Sequence, residues 1–564
     1  MLEPIIKVNN QPCHNLLQID KIKNRILHHF SFENKSQQKV SIEYRIPIID
    51  FQYIWHPLSD GHYSLKNEWD SPLNVKINRS LPVICFFNQS NKSQFSFAVS
   101  ELIGEINIVV GVHEESACMK VIFEFLIPNN DYSLTISFLA NTQSWSKVIQ
   151  NQVKWLYEYN NIVPKKVPAS AYQAVLSTWY SFHQSVSENA VYHESINYKN
   201  MGISTLILDD GWQTNDGQRR YSYAGDWKVS EKKFPKFKEH IKKVQSLDMK
   251  YLIWLSLPYI GVKAQNWDLF QNDLLYFDDF QRAGVLDIRN TSVKETLSNT
   301  VKQFINNYPV DGLKLDFFET FFLDENNNRE IAENLLILLE DLESSYPRGK
   351  DFLIEYRQDY INPLMMQFAN IVRAKDCPNN LYLNRIRTID LRLCCPYTAV
   401  HSDMIMWNQL ETIESMALQL INVLFSVPQI SMKYDKLSIK EKQMIKFWIE
   451  FTKQYQKELL HEQFVPLYPH EGYSQIHLGG NKIELIINYS DNKLIEMLFE
   501  SKEKIIINGS DSSKIFIKLP IGNYELIEKD CSGNKIEQYN ILVNQEEIKE
   551  LKVSKSGLIH LQRI

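Results

Sequence analysis

The sequence predicts a multidomain chain in which a central (β/α)8 TIM barrel is flanked by an N-terminal β-sandwich and a small C-terminal antiparallel β domain. Three observations predict it. The chain has 564 residues, more than one hydrophobic core supports. Its texture changes twice, from short alternating runs to apolar runs separated by amphipathic stretches, and back again. The middle part holds eight apolar runs, a number that suits a closed parallel barrel.

Up to about residue 145 the runs Val40–Ile46, Leu81–Phe87, Ile106–Val112, Lys120–Ile127 and Ser133–Leu139 are short and separated by polar breaks, as in an antiparallel sandwich. Ser144–Tyr159 has helical spacing and leads to Val163-Pro164 and Val167-Pro168, a linker. The barrel strands are expected at Val175–Phe182, Ser204–Asp209, Lys250–Ser256, Asp311–Asp316, Phe352–Tyr356, Asn370–Arg373, Tyr397–His401 and Leu424–Ile430. Between them Phe237–Leu247, Val293–Asn306 and Glu330–Leu342 read as helices. After a helix at Ile439–Glu458, alternation returns at Gln475–His477, Ile483–Asn488, Lys504–Ile507, Lys514–Leu519, Tyr524–Glu528 and Leu558–Gln562. The expected domains are residues 1–160, 168–458 and 460–564.

With 44% hydrophobic and 23% charged residues the chain has the balance of a protein able to bury large cores. A net charge of −6 lacks the positive field that recruits nucleic acid or an anionic membrane surface, so a neutral small molecule is the better partner. No apolar run approaches the length of a membrane span, no secretory signal is visible behind Glu3, and seven scattered cysteines read as reduced thiols. A cytoplasmic location is expected, compatible with a homo-oligomer. Cys394-Cys395 is not a CxxC pair, and neither a metal nor a cofactor is expected.

Catalytic groups of a barrel gather where its strands stop, and here they stop repeatedly at carboxylates. Leu206-Ile207-Leu208 ends in Asp209-Asp210-Gly211-Trp212, Leu313-Lys314-Leu315 ends at Asp316, Ile371-Val372-Arg373 runs into Asp376, and His401-Ser402 into Asp403. One such carboxylate is commonly a helix cap. Four at one small mouth, with Trp212, Trp254 and Trp407, need a ligand or cations to offset them. Lys314, two residues before Asp316, supplies one cation on the same face of the strand. Cleavage of a glycoside needs one ionised carboxylate to attack and a protonated one to donate. Asp209 and Asp210 suit neighbouring sugar hydroxyls, and the indole of Trp254 an apolar sugar face. A metal-dependent barrel hydrolase and a non-catalytic sugar-binding module stay open as other readings.

Leu208-Asp209-Asp210-Gly211-Trp212, Gly225-Asp226-Trp227, Lys233-Phe234-Pro235, Leu252-Ile253-Trp254, Val285-Leu286-Asp287 and Asp311-Gly312-Leu313-Lys314-Leu315-Asp316 together resemble the barrel of the glycoside hydrolase family 36 α-galactosidases, the melibiase type, and their raffinose-synthase-like relatives. The resemblance spans roughly residues 174–432. It implies a retaining α-glycosidase acting on an oligosaccharide or other α-galactoside, with Asp316 as nucleophile and Asp376, in Arg373-Ala374-Lys375-Asp376, as acid/base. Asp209, Asp210, Trp212, Trp254, Lys314, Arg357, Arg373 and Asp403 are the expected substrate contacts, Asp403 being also the rival for the acid/base role. The chain departs from the family in two places. Ile354-Glu355-Tyr356-Arg357-Gln358-Asp359-Tyr360 replaces a glycine-rich segment on the fifth strand, and Phe317-Phe318 replaces an Asn-Arg after the nucleophile. Arg357 or Tyr356 therefore crowds the place of the sugar 2-substituent. α-N-Acetylgalactosaminidase and α-galactosyl transglycosidase are the alternatives on the same scaffold.

Overall fold

The computed structural model of the protein describes residues 3–13, 16–33, 37–69, 73–139, 143–322, 328–347, 349 and 351–564. Eight parallel strands close into a barrel: Val175–Ser177, Thr205–Leu208, Lys250–Leu255, Gly312–Leu315, Leu353–Arg357, Ile371–Arg373, Ala399–Ile405 and Val427–Ile430. The eighth strand pairs with the first, Val175 opposite Gln429. Each expected run supplies one strand. The first is shorter than its apolar run, because Trp179–Phe182 turns into a helical segment, a distinction that apolar character alone does not make.

Side chains of a barrel strand alternate between the interior and the surrounding helices. Val175, Ile207, Leu252, Leu353, Ile371, Ala399 and Val427 form a dry interior cluster closed by Ala171. Gly312 completes this level because a Cβ there would stand 2.2 Å from the carbonyl oxygen of Leu353. Two residues further along, the interior changes character: Lys314, Glu355, Arg373, His401 and Gln429 are all buried. The apolar plug thus excludes water from one end, and the charges point towards the other. The seventh strand has a register irregularity against the eighth between His401 and Met404, where an extra residue re-aims the side chains beside it.

The N-terminal part is a sandwich of two six-stranded sheets with Ile42, Tyr44, Phe97, Phe123 and Phe138 between them. At the other end, a seven-stranded and a three-stranded sheet enclose Ile486, Ile506, Ile517 and Leu526. This last part is mostly antiparallel, with Ile483–Asn488 and Glu503–Asn508 running parallel. Strands Gln463–Leu467, Lys535–Val543 and Glu547–Lys552 have no counterpart in the sequence reading. Nor does the small sheet of Tyr259–Gly261, Leu274–Asp278 and Ala283–Leu286 between the third and fourth barrel strands.

The sandwich rests on the strand-end face of the barrel. Asn78 Nδ2 donates to the carbonyl of Phe318 (2.8 Å) and the Ser80 amide to that of Asp359 (2.8 Å). Asp60 takes the guanidinium of Arg387 in two contacts of 2.7 and 2.6 Å. Behind them, Asp390 of the helix Leu381–Cys394 accepts from Trp55 Nε1 at 2.9 Å and from the Tyr473 hydroxyl, so one carboxyl ties together all three parts of the chain.

Burial pushes the Asp390 carboxyl up to about 7. A raised folded-state value means that its contribution is fully present in acid and lost as pH rises through that value. Thermal unfolding should therefore show a Tm that falls between pH 5 and pH 8 more steeply in the wild type than in Asp390→Asn; parallel curves would contradict the buried, proton-holding junction.

Candidate active site

Asp209 and Asp210 follow the second barrel strand directly and are almost wholly buried. Lys314 Nζ lies 2.5 Å from Asp209 Oδ2, and Asp209 Oδ1 accepts the Asp210 amide (2.9 Å). Asp210 takes Gln184 Nε2 at 2.7 Å and Gln213 Nε2 at 2.6 Å. Burial raises its carboxyl to about 6, since a side-chain amide offsets less of the desolvation than a full charge does.

Asp316 ends the fourth strand. Its Oδ2 accepts from Trp254 Nε1 (3.1 Å) and its Oδ1 from the amide of Phe317 (2.9 Å). Phe317 adopts the left-handed conformation (φ 68°, ψ 19°), which costs a non-glycine residue on the order of 1 kcal/mol and clusters at functional sites. Arg357, at the end of the fifth strand, lies with Nε 3.3 Å from Asp316 Oδ1 and its guanidinium over the Phe317 ring. Burial raises the Asp316 carboxyl, but the fields of Arg357, Lys314 and Arg373 outweigh it and hold the group below the ordinary carboxylate range. The same Arg357 pairs with Glu319, which also accepts from the Tyr360 hydroxyl; burial, opposed by Arg357, leaves Glu319 raised.

Arg373 ends the sixth strand and is 1% exposed. Its Nη1 reaches Asp403 Oδ1 and the Ala374 carbonyl, its Nη2 reaches Asp376 Oδ1 (2.8 Å), and its Nε is 3.7 Å from Glu355 Oε1. Asp403 Oδ2 is further held by the Cys377 amide (2.6 Å) and the Tyr180 hydroxyl (2.9 Å). Asp376 is the open member of this group, its side chain 39% exposed. Among the described residues no group of three or more His, Cys, Asp or Glu side chains is placed to hold a metal ion.

Asp209, Asp210, Trp254, Lys314, Asp316, Arg357, Arg373, Asp376 and Asp403 thus meet at one end of the barrel. Trp212 does not. Its indole is fully buried against Phe237 and Phe304, and its Nε1 donates to the Trp254 carbonyl (3.0 Å), so it packs the strand against its helices instead of meeting a substrate. Trp254 is 1% exposed and covered by the ring of Tyr221 (centroids 5.9 Å, 26°); its contact with Asp316 is through nitrogen. The N–H groups of Arg373 are turned towards protein carboxylates, and Asp403 is fully buried against Arg373, the Cys377 amide and the Tyr180 hydroxyl.

Tyr221, Glu319, Tyr180, Tyr360 and Glu355 escaped the sequence reading. Glu319, three residues after Asp316, carried the available signal, a second carboxylate next to a strand end. Tyr221 lies within a long connection with no periodicity to place it. Its ring stacks on Trp254 and Tyr259, and burial and then the charges of Asp210, Asp316 and Asp209 raise its hydroxyl.

Comparison with known proteins finds similar sequences and similar folds. The Melibiase family model matches residues 143–346, the stretch containing Asp209, Asp210, Trp254, Lys314 and Asp316. Alpha-galactosidase 2 of Pediococcus pentosaceus is 28% identical over 149 residues, 25% of this chain and 21% of that protein. Alpha-galactosidase Mel36A of Lactobacillus acidophilus is 20% identical over 220 residues, 38% and 29% of the two chains. These alignments therefore span under a third of either relative. In structure, the chain superposes on the GH36 α-galactosidase AgaA of Geobacillus stearothermophilus with a TM-score of 0.65 at 14% identity, covering 99% of this chain and 81% of that one. The α-galactosidase of Lactobacillus brevis gives 0.65 at 14%, covering 100% and 85%. The class defined by fold and site is a barrel with flanking β domains and a mouth full of carboxylates. Within it, the chain is similar over part of its barrel to the Melibiase family and to curated α-galactosidases, and in fold to solved GH36 α-galactosidases.

Removing the interior cation tests the electrostatic frame. Lys314→Met leaves Asp209 without its ion-pair partner and Glu355 to Arg373, and breaking a buried pair costs about 3–5 kcal/mol. Urea unfolding at pH 7 should show a loss of that size; a change below about 1 kcal/mol would mean that Lys314 is not what holds these acids.

Proposed function

We propose that the chain is a retaining α-galactosidase that hydrolyses terminal α-galactosides by double displacement. The observation that carries this reading is the treatment of Asp316: a buried carboxylate at the strand end, kept ionised by Arg357, Lys314 and Arg373 and aimed by two N–H donors. Asp376, on the neighbouring wall and open to solvent, completes the pair that retaining chemistry needs.

In the first step an oxygen of Asp316 bonds to the anomeric carbon while the bond to the leaving oxygen breaks and Asp376 assists its departure. In the second, water attacks the same carbon as the bond to Asp316 breaks and its electron pair returns to that carboxylate, Asp376 takes a proton from the water, and the sugar leaves with its α configuration. Asp209 and Asp210 accept from sugar hydroxyls, and Lys314 balances the charge beneath them. The relatives' names support a galactoside as substrate, and AgaA variants have been solved with raffinose and with stachyose, which favours an oligosaccharide. Among the described residues no helix is long and apolar enough to cross a membrane; the seven scattered cysteines favour a reducing, cytoplasmic setting.

Asp316→Ala should abolish release of 4-nitrophenol from its α-galactoside while circular dichroism stays unchanged, and wild-type product observed by NMR should appear first as the α-anomer. Initial β-anomer, or a variant that still turns over, would refute the assignment. On a panel that also contains the α-glucoside and the α-N-acetylgalactosaminide, the galactoside should be fastest, with activity untouched by a chelator.

A further inference from the structure

The retaining reading asks Asp376 to deliver a proton, yet the structure surrounds its carboxylate with fixed positive charge. Arg373 Nη2 lies 2.8 Å from Asp376 Oδ1. This guanidinium has no freedom to leave: its other nitrogens face Asp403, the Ala374 carbonyl and Glu355, and its side chain is 1% exposed. Asp403, which anchors it, is itself fixed by the Cys377 amide and the Tyr180 hydroxyl. From the fifth strand Arg357 and from the fourth Lys314 add attraction, while Asp316 adds repulsion. From the seventh strand Asp403 faces Asp376, and from the segment after the first strand Tyr180 does so. On the helix behind, Arg387 Nη1 holds the Asp376 backbone carbonyl (3.0 Å) and spends its remaining donors on Asp60. Lys375 is turned to Asp359.

We propose that Arg373 is a positioning residue that keeps Asp376 ionised in the free protein, so that at neutral pH the site cleaves α-glycosides whose leaving oxygen departs without a proton far faster than it cleaves sugar–sugar links. This rests on the reading of Asp316 as nucleophile and Asp376 as acid/base. In the cleavage the bond between the anomeric carbon and Asp316 forms, and the electron pair of the glycosidic bond goes to the leaving oxygen. A phenolate carries that pair unaided; a sugar alkoxide must take a proton, which only the protonated fraction of Asp376 supplies. Burial raises the Asp376 carboxyl, but Arg373, Arg357 and Lys314 outweigh it and bring it to about 2. Its ionised form is always ready for the second step, where it receives a proton from water. Oligosaccharides remain substrates and are cleaved best in acid, while at neutral pH α-galactosides with a weakly basic leaving oxygen, phenols among them, turn over faster.

The test compares two substrates, 4-nitrophenyl α-galactoside and raffinose, between pH 4 and 8. Titration of Asp210 and of other groups at the sugar end acts on both alike and cancels in the ratio of their kcat/KM values. For raffinose relative to the nitrophenyl glycoside, that ratio should rise about tenfold for each unit of falling pH. Arg373→Gln should raise the ratio at pH 7 by at least tenfold, and Arg373→Lys, which keeps the charge, should restore most of the wild-type profile. Asp403→Asn, which leaves Arg373 more fully to Asp376, should lower the ratio; if the Arg373 variants fail to fold, this variant and the wild-type profile still decide. A ratio independent of pH, or unmoved by these substitutions, overturns the inference. Absence of any aryl α-galactoside turnover overturns the functional reading itself.

Discussion

Three cations inside the barrel, Lys314, Arg357 and Arg373, set the terms for everything at its mouth. Around them stand Asp209, Asp316, Glu319, Glu355, Asp376 and Asp403. Carboxylates outnumber the cations, and all are taken at least partly out of water, so without the cations several would have to carry protons. Their distribution is uneven. Burial is outweighed at Asp316 and Asp376 by the fields of Arg373, Arg357 and Lys314, and these two are lowered, while burial wins at Asp210, Glu319, Glu355 and Asp403, which are raised. Asp316 and Asp376 are thus held in the ionised form.

The apolar plug makes this uneven distribution durable. With Val175, Leu252, Leu353 and Ile371 sealing one end, the charged layer can be hydrated only from the mouth, and there Tyr221 stacks on Trp254 and Tyr259 while Phe317 meets Trp254 edge-on. Interactions between charges in such a place are stronger than in water, so a change in one member is felt by the others. Arg357 shows this most directly, since it touches both Asp316 and Glu319.

Strand existence and order were legible because a barrel strand is an apolar run that stops abruptly, and here each run stops at a charged or polar residue. Asp316 and Lys314 were legible by spacing: two residues apart on a strand is one face. Trp212 was misread because adjacency to Asp209-Asp210 places it near the mouth in sequence, whereas the chain turns at Gly211 (φ +110°) and sends the indole outward. Arg373 was expected to face a sugar; only the three-dimensional register, which sets it opposite His401 and beside Arg357, shows how many carboxylates reach it first. Short edge strands such as Leu494–Ile495 and the hairpin before the fourth barrel strand leave too little periodicity to be seen.

The bond from Asn78 to the Phe318 carbonyl and that from Ser80 to Asp359 have a mechanical meaning. They fasten the sandwich to the two segments that follow the fourth and fifth barrel strands, one residue beyond the strained Phe317 and two beyond Arg357. The left-handed turn that presents the Phe317 amide to Asp316 is thereby braced from outside the barrel. A barrel cut away from its first sheets would lose the clamp on that turn, and with it the fixed aim of the Asp316 carboxylate.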